Sequence, residues 1–228
     1  LAVYAGGYST VSDDGQAAVM GLPLPYHDAN NGCPNVLWRN KGNWDFEDVT
    51  ERVGLGANNR RFSFAAGWED FDNDGDLDLY VANDYGRNNL YRNEGAGVSP
   101  QFLDVAAALG IEDTSAGMST SWGDADRNGW MDLYISNMFS SAGNRIAFQE
   151  QFMPGTAPTV RDDYRRMARG NTLFQADGQG GFEDVSESAA VTMGRWAWGS
   201  QFVDLNNDGW EDLLVANGFI TTEDSGDL

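Results

Sequence analysis

The sequence predicts an all-β chain of four-stranded antiparallel repeats, the architecture of β-propeller blades, and three observations carry that expectation. A nine-residue pattern occurs in three copies: Asp70-Phe-Asp72-Asn-Asp74-Gly-Asp76-Leu-Asp78, Asp124-Ala-Asp126-Arg-Asn128-Gly-Trp130-Met-Asp132 and Asp204-Leu-Asn206-Asn-Asp208-Gly-Trp210-Glu-Asp212. Each copy joins two short β-prone runs bounded by Gly, Asn and Asp turn residues. Around the copies a longer unit recurs, at intervals of 54 and then 80 residues from Asp70 to Asp124 to Asp204. Four strands repeated on that scale fit blades whose radial packing protects sheet edges. A β-solenoid is the alternative, but its repeats are usually shorter and lack four strands.

In chain order, residues 1–6 read as a strand leaving a loop (type B) whose own loop is missing upstream. Residues 35–40 follow as an Asn-x-Leu-aromatic strand (type C) and 46–50 as a Phe-x-Asp-Val strand (type D). The first complete set comes next: residues 64–68 enter the loop (type A), 79–83 leave it, and 89–93 and 102–105 supply C and D. The second complete set is 120–123, 133–137, 171–175 and 182–186, and a final A–B pair, 198–200 and 213–217, flanks the third loop. That gives about thirteen strands, in repeats spanning approximately residues 1–63, 64–117, 118–195 and 196–228, the first and last incomplete.

The loops have the chemistry of a hard-cation site. Oxygen-bearing side chains fall at positions 1, 3, 5 and 9: Asp70, Asp72, Asp74 and Asp78; Asp124, Asp126, Asn128 and Asp132; Asp204, Asn206, Asp208 and Asp212. Alternate side chains converge on one point, and Gly at position 6 permits the turn that brings position 9 back. Position 7 is Asp76, Trp130 or Trp210, a freedom that a backbone carbonyl ligand explains. All-oxygen ligation selects calcium over zinc or copper, so about three structural Ca²⁺ ions are the expected cofactor.

Composition is consistent with this. The formal net charge is -21, and ten Asp occupy positions 1, 3, 5 and 9 of the loops, so three calcium ions would leave about -15. A chain this acidic lacks the basic footprint that nucleic acid or an anionic membrane requires. Apolar residues at 41% and aromatics at 12% are ample for a packed core. Cys33 is the only cysteine, which excludes an intrachain disulfide, and Lys41 is the only lysine. No apolar run approaches the roughly 18 residues of a membrane span. No Asn-x-Ser/Thr sequon occurs.

The Trp-Gly…Asp-x-Asp-x-Asp-Gly-x-x-Asp-Leu-x-Val pattern resembles the FG-GAP (also called VCBS) repeat of integrin-α-type β-propellers. The Asn-x-Leu-Tyr-Arg-Asn-x-Gly…Phe-x-Asp-Val-Thr segment is most similar to the subgroup found with ASPIC/UnbV domains, the cartilage acidic protein type. The resemblance implies calcium in the A–B loops, a secreted or cell-surface setting, and usually seven blades. Two departures stand out: Asn128 and Asn206 replace Asp, which lowers site charge, and the Gly-Ala-Pro after strand B is replaced at Asn83, Asn137 and Asn217 by Asn-Asp, Asn-Met and Asn-Gly. A propeller closes with four to eight blades. The chain is therefore expected to be a fragment of a longer propeller, or one of several chains that complete a ring or fibre through incomplete terminal blades.

In a propeller the A–B loops share one face, and the B–C and D–A connections share the other. Two insertions, approximately residues 8–34 and 139–170, both fall between B and C, on the face that integrin-type propellers use for ligands. Long loops on a rigid scaffold are where binding normally resides. Residues 159–162 resemble a helix start and Gly170 a stop. Between them Arg161, Arg165 and Arg169 recur at i, i+4, i+8, with Arg166 beside them. Such a stripe can grip carboxylate or sulfate groups of a protein or acidic glycan, or pair with the chain's own carboxylates. His27, Asp28 and Cys33 are read as loop packing, and tryptophans 68, 122, 196 and 198 as core beside the A strands.

The expected function is a calcium-stabilised extracellular binding or adhesion module with a protein or glycan partner, not an enzyme. A structural subunit of an extracellular filament or coat is the alternative, with self-assembly through exposed strand edges. A polysaccharide lyase or hydrolase on a calcium propeller is a further one, for which Tyr164, Arg165 and Asp163 are the clustered candidates.

Overall fold

The computed structural model describes residues 2–5, 10–11, 17–18, 22–95 and 99–218. Leu1 and Gly6 of the expected first strand, much of the first insertion, and the tail beyond residue 218 lie outside the described residues. An incomplete first sheet consists of β1 (Ala2–Ala5), β4 (Val36–Gly42) and β5 (Asp45–Asp48), with the hairpin of β2 (Thr10–Val11) and β3 (Ala17–Ala18) inserted between β1 and β4. The second sheet is β6 (Phe62–Glu69), β7 (Asp78–Asp84), β8 (Asn89–Asn93) and β9 (Phe102–Asp104), in that order and antiparallel throughout. A one-turn helix, α1 (Ala106–Leu109), leads to the third sheet of β10 (Gly117–Gly123), β11 (Asp132–Asn137), β12 (Thr172–Ala176) and β13 (Phe182–Asp184). Helices α2 (Ser141–Ala147) and α3 (Pro158–Arg169) occupy the connection between β11 and β12. The last sheet pairs β14 (Ala197–Val203) with β15 (Asp212–Asn217). Setting the hairpin aside, the described residues form thirteen strands in four blade-type sheets of three, four, four and two.

The sheets pack face to face, which explains the B-strand sequences. In β7, Leu79 and Val81 enter the core with Leu37, Leu55 and Tyr91, while Tyr80 and Ala82 enter the core with Leu133, Ile135 and Phe174. A strand covered on both faces reads as a continuous apolar run rather than an alternating one. β7 and β11 are accordingly buried along their whole length. In β15 only one face is covered, by Tyr134, Leu173 and Phe202, and Leu214 is 52% exposed where Tyr80 and Tyr134 are at most 1%.

Each A strand carries a register irregularity at the same place, between Ser63 and Ala65, Gly117 and Ser119, and Ala197 and Gly199. A bulge re-aims a strand and sharpens its twist. The D-strand Asp caps its own turn: Asp48 accepts from the amide and hydroxyl of Thr50, and that hydroxyl accepts from the Leu37 amide at 2.9 Å. Asp184, Ser186 and Leu173 repeat the arrangement. The Phe-x-Asp-Val-Ser/Thr pattern thus ties strand D back to strand C.

α3 begins one residue before the expected start, at Pro158, and no side chain caps it. Proline is suited to that first helical position, because its missing N–H would be unpaired there and its φ is already helical. α2 has no counterpart in the expected elements; Ser140 caps it by accepting from the Gly143 amide at 2.9 Å.

Candidate metal loops and the opposite face

The three loops fold alike because the position-1 carboxylate collects the loop's own amides. Asp70 accepts from the amides of Asp74 and Gly75 at 3.0 Å each. Asp124 takes those of Asn128 and Gly129, both at 2.9 Å, and Asp204 those of Asp208 and Gly209 at 3.1 and 2.9 Å. The chain reverses through a left-handed residue at position 4 (Asn73, Arg127, Asn207) and another at position 6 (Gly75, Gly129, Gly209), the latter at φ of 93°, 87° and 87°. Glycine holds such φ without a Cβ penalty. Position 9 is fixed from two sides: Asp78 accepts from the amides of Phe71 in the loop and Asn93 at the end of β8. Asp132 accepts from Ala125 and Ala176 in the same way.

Convergence differs among the loops. Asp70, Asp72 and Asp78 each bring a carboxylate oxygen within 4.8 Å of the others, the one such group among the described residues. Asp72 Oδ1 is buried there without a hydrogen-bond partner. Burial first, then the Asp72 and Asp74 charges against the opposing Asn93 and Phe71 amides, push Asp78 up to about 7. Burial, opposed by amides from Ala176 and Ala125, pushes Asp132 up to about 6. Crowded, desolvated carboxylates with an orphaned acceptor fit a divalent cation, which supplies the missing positive charge and takes only oxygen. Asp70, Asp72, Asp74 and Asp78 would hold it.

In the second loop the Asn128 amide and the Gln175 amide donate to Asp126 Oδ2 at 3.0 and 2.6 Å. In the third, the Asn206 amide donates to Asp208 Oδ2 at 2.9 Å. The carboxamides that replace Asp therefore engage carboxylates that a cation would need. At position 7 the amides of Asp76, Trp130 and Trp210 donate to the position-5 side chains. Neighbouring loops touch: Asn73 donates to the Gly129 carbonyl, and the Arg127 guanidinium lies 5.1 Å from the Trp210 ring centre.

On the opposite face, α3 is bound to the scaffold by its arginines. Arg166 pairs with Asp113 at 3.0 Å and Asp184 at 2.9 Å, and Arg169 pairs with Asp184 at 2.9 Å. Asp113 is fully buried and also accepts from Asn137 and Thr172. Burial would raise Asp184, but the Ser186 hydroxyl and the two guanidinium charges outweigh it and hold it at about 2. Arg165 pairs with Asp162 and donates to the Ala147 carbonyl, while Arg161 Nε is buried without a partner. Of the arginines on α3, Arg165, Arg166 and Arg169 thus bind the chain's own carboxylates. His27 and Asp28 pack as loop residues do: Asp28 pairs with Arg61 at 2.6 Å, and His27 lies 5.7 Å from the Tyr164 ring.

The two insertions meet over the ends of the second and third sheets. Tyr26 stacks on Tyr164 of α3, with ring centres 6.3 Å apart and 9° between planes, and meets Tyr85 edge-on at 5.0 Å. Beside them lies a half-open cavity of about 500 Å³, walled by Tyr26, Tyr85, Phe139, Tyr164 and Trp196 with Asp84 among its few polar groups. No sequence pattern marks these residues. Tyr26 and Tyr164 are 138 positions apart in the chain, and only the packing of α3 brings them together. Trp196, expected in the core, lines this cavity, whereas Trp122 packs among Phe71, Tyr80 and Phe182 as expected.

A sequence model of the FG-GAP-like repeat matches residues 70–135 and 161–215, more than half of the chain. Among curated proteins no match was found.

Proposed function

The chain belongs to the FG-GAP-like repeat family, and from that premise we propose that it is a calcium-stabilised extracellular binding module. Calcium is held in the A–B loops, and the partner, a protein or glycan, binds through the opposite face. The observation that carries this reading is the division of labour between the faces. One presents the clustered Asp70, Asp72 and Asp78 with an orphaned acceptor; the other presents the cavity where both insertions converge. The cation rigidifies the blade base and neutralises crowded carboxylates; the insertions carry recognition. Arg161 is the stripe member that the ion pairs of α3 leave over, since Arg165 pairs with Asp162, Arg166 with Asp113 and Asp184, and Arg169 with Asp184.

No catalytic role is part of the proposal: Arg165 is engaged by Asp162 and the Ala147 carbonyl, and Tyr164 by aromatic stacking. Among the described residues no helix is long and apolar enough to cross a membrane. A second reading, self-assembly, is favoured by the uncovered face of β15, where Leu214 lies open. A blade edge of a second copy fits that face.

Two measurements test the proposal. Melting with calcium and with a chelator checks the metal: bound calcium raises Tm by an amount that grows with the logarithm of free calcium above its Kd, and an unchanged Tm overturns the calcium part. Capture from panels of extracellular proteins and glycans, with α3-face and loop-face substitutions in parallel, checks the surface. Capture abolished only by loop-face substitutions at full calcium occupancy overturns the assignment of the partner face.

A further inference from the structure

The cavity between the insertions has a chemistry of its own. Its walls are predominantly aromatic, contributed by Tyr26, Tyr85, Phe139, Tyr164 and Trp196, and Lys and Arg are absent from its lining. Asp84, 3% exposed, stands in it as the one ionisable acid. Ser140 is already used in capping α2. An anion would find no counter-charge here. Aromatic faces and a buried carboxylate share one preference, since both attract positive charge.

We infer that this cavity binds an organic cation, an ammonium or methylated ammonium group on a small apolar body, seated against its aromatic wall with Asp84 as its counter-charge. The inference deepens the proposed partner face and rests on that reading. Three further features agree with it. Tyr85 is held at φ 59°, a costly conformation for a non-glycine residue, and its carbonyl receives the Ala29 amide at 2.8 Å, fixing the first insertion against the rim. Burial, followed by the Asp84 charge, holds the hydroxyls of Tyr26 and Tyr85 above the ordinary tyrosine range, so both rings stay neutral and present uncharged aromatic faces. The net charge of -21 enriches cations around the whole molecule.

The test is calorimetric titration of the calcium-loaded chain with choline and with its neutral isostere, 3,3-dimethyl-1-butanol. Choline is expected to bind saturably and about tenfold or more tightly than the isostere, the range a desolvated cation–aromatic contact supplies. Asp84→Asn keeps an oxygen for the Tyr85 amide while removing the charge, and should weaken choline about tenfold without changing isostere binding. Tyr26→Ala removes a half-exposed wall and should weaken choline, a second handle should Asp84→Asn fail to fold. Equal affinity for choline and the isostere overturns the inference, as does the absence of saturable binding by both. The same variants in the partner-capture assay separate the two claims: capture that depends on Tyr26 without choline binding leaves the face standing and removes the cation.

Discussion

Asp184 offers the sharpest quantitative handle on how α3 is held. Its carboxylate receives Arg166 and Arg169 at 2.9 Å each and the Ser186 hydroxyl, and its side chain is 25% exposed. These contacts hold it at about 2 against the ordinary aspartate value of 3.8. At ~1.36 kcal/mol per pH unit, and discounting the part water still reaches, its ionised form contributes about 2 kcal/mol to folding. The sign follows from a depressed folded-state pKa. The contribution is fully present above the unfolded value near 4 and is lost as pH falls through about 2. Asp184→Asn should therefore lower Tm at pH 7 by about 5 °C, since a domain of this size shifts ~2–4 °C per kcal/mol. The difference between wild type and variant should shrink steadily from pH 4 to pH 2. Urea melts of both proteins across that range, at constant ionic strength, give the measurement. A difference that is absent at pH 7, or that stays constant down to pH 2, would refute the electrostatic account.

The remaining predictions concern the loops and the core. Asp72→Asn should weaken the tightest calcium site by about tenfold or more, because a charged ligand is lost where three carboxylates converge; Asp126→Asn should cost less, as Asp126 is engaged by Gln175 and Asn128. Calcium calorimetry on the two variants ranks the sites, and equal losses would count against the ranking. Gly75→Ala adds a Cβ that meets nothing within 4 Å, yet φ is 93°, so any loss of about 1 kcal/mol in a chemical melt reports backbone strain alone. Tyr80→Phe removes a buried hydroxyl that donates to the Ile111 carbonyl and accepts from Asn88, and should destabilise by about 1–3 kcal/mol in the same assay.

Much of the scaffold was legible because its signals are local. Positions 1, 6 and 9 of the loops specify their own closure through side-chain-to-amide bonds at short range, as Asp70, Asp124 and Asp204 do identically. The B strands announced themselves as unbroken apolar runs because both faces are buried. The Asn-x-Leu and Phe-x-Asp-Val strands fell within a residue or two of their predicted bounds. Sequence could not reveal the A-strand bulges: Phe64, Met118 and Trp198 are all large and apolar, as residues of regular strands also are, so nothing in their type marks the irregularity. Nor could it divide the arginine stripe: spacing aligned Arg161, Arg165 and Arg169, but Asp184 reaches α3 from β13 and Asp113 from the segment between α1 and β10.

The sequence by itself determined the blade repeat, the cation-type loops and the face on which the insertions emerge, because each depends on residues within one turn or one strand pair. The tertiary structure alone decided that only the first loop gathers three carboxylates closely, and that Tyr26, Tyr85, Tyr164 and Trp196 wall one cavity beside Asp84. Those outcomes depend on contacts between segments far apart in the chain, whose geometry is fixed only when the sheets pack.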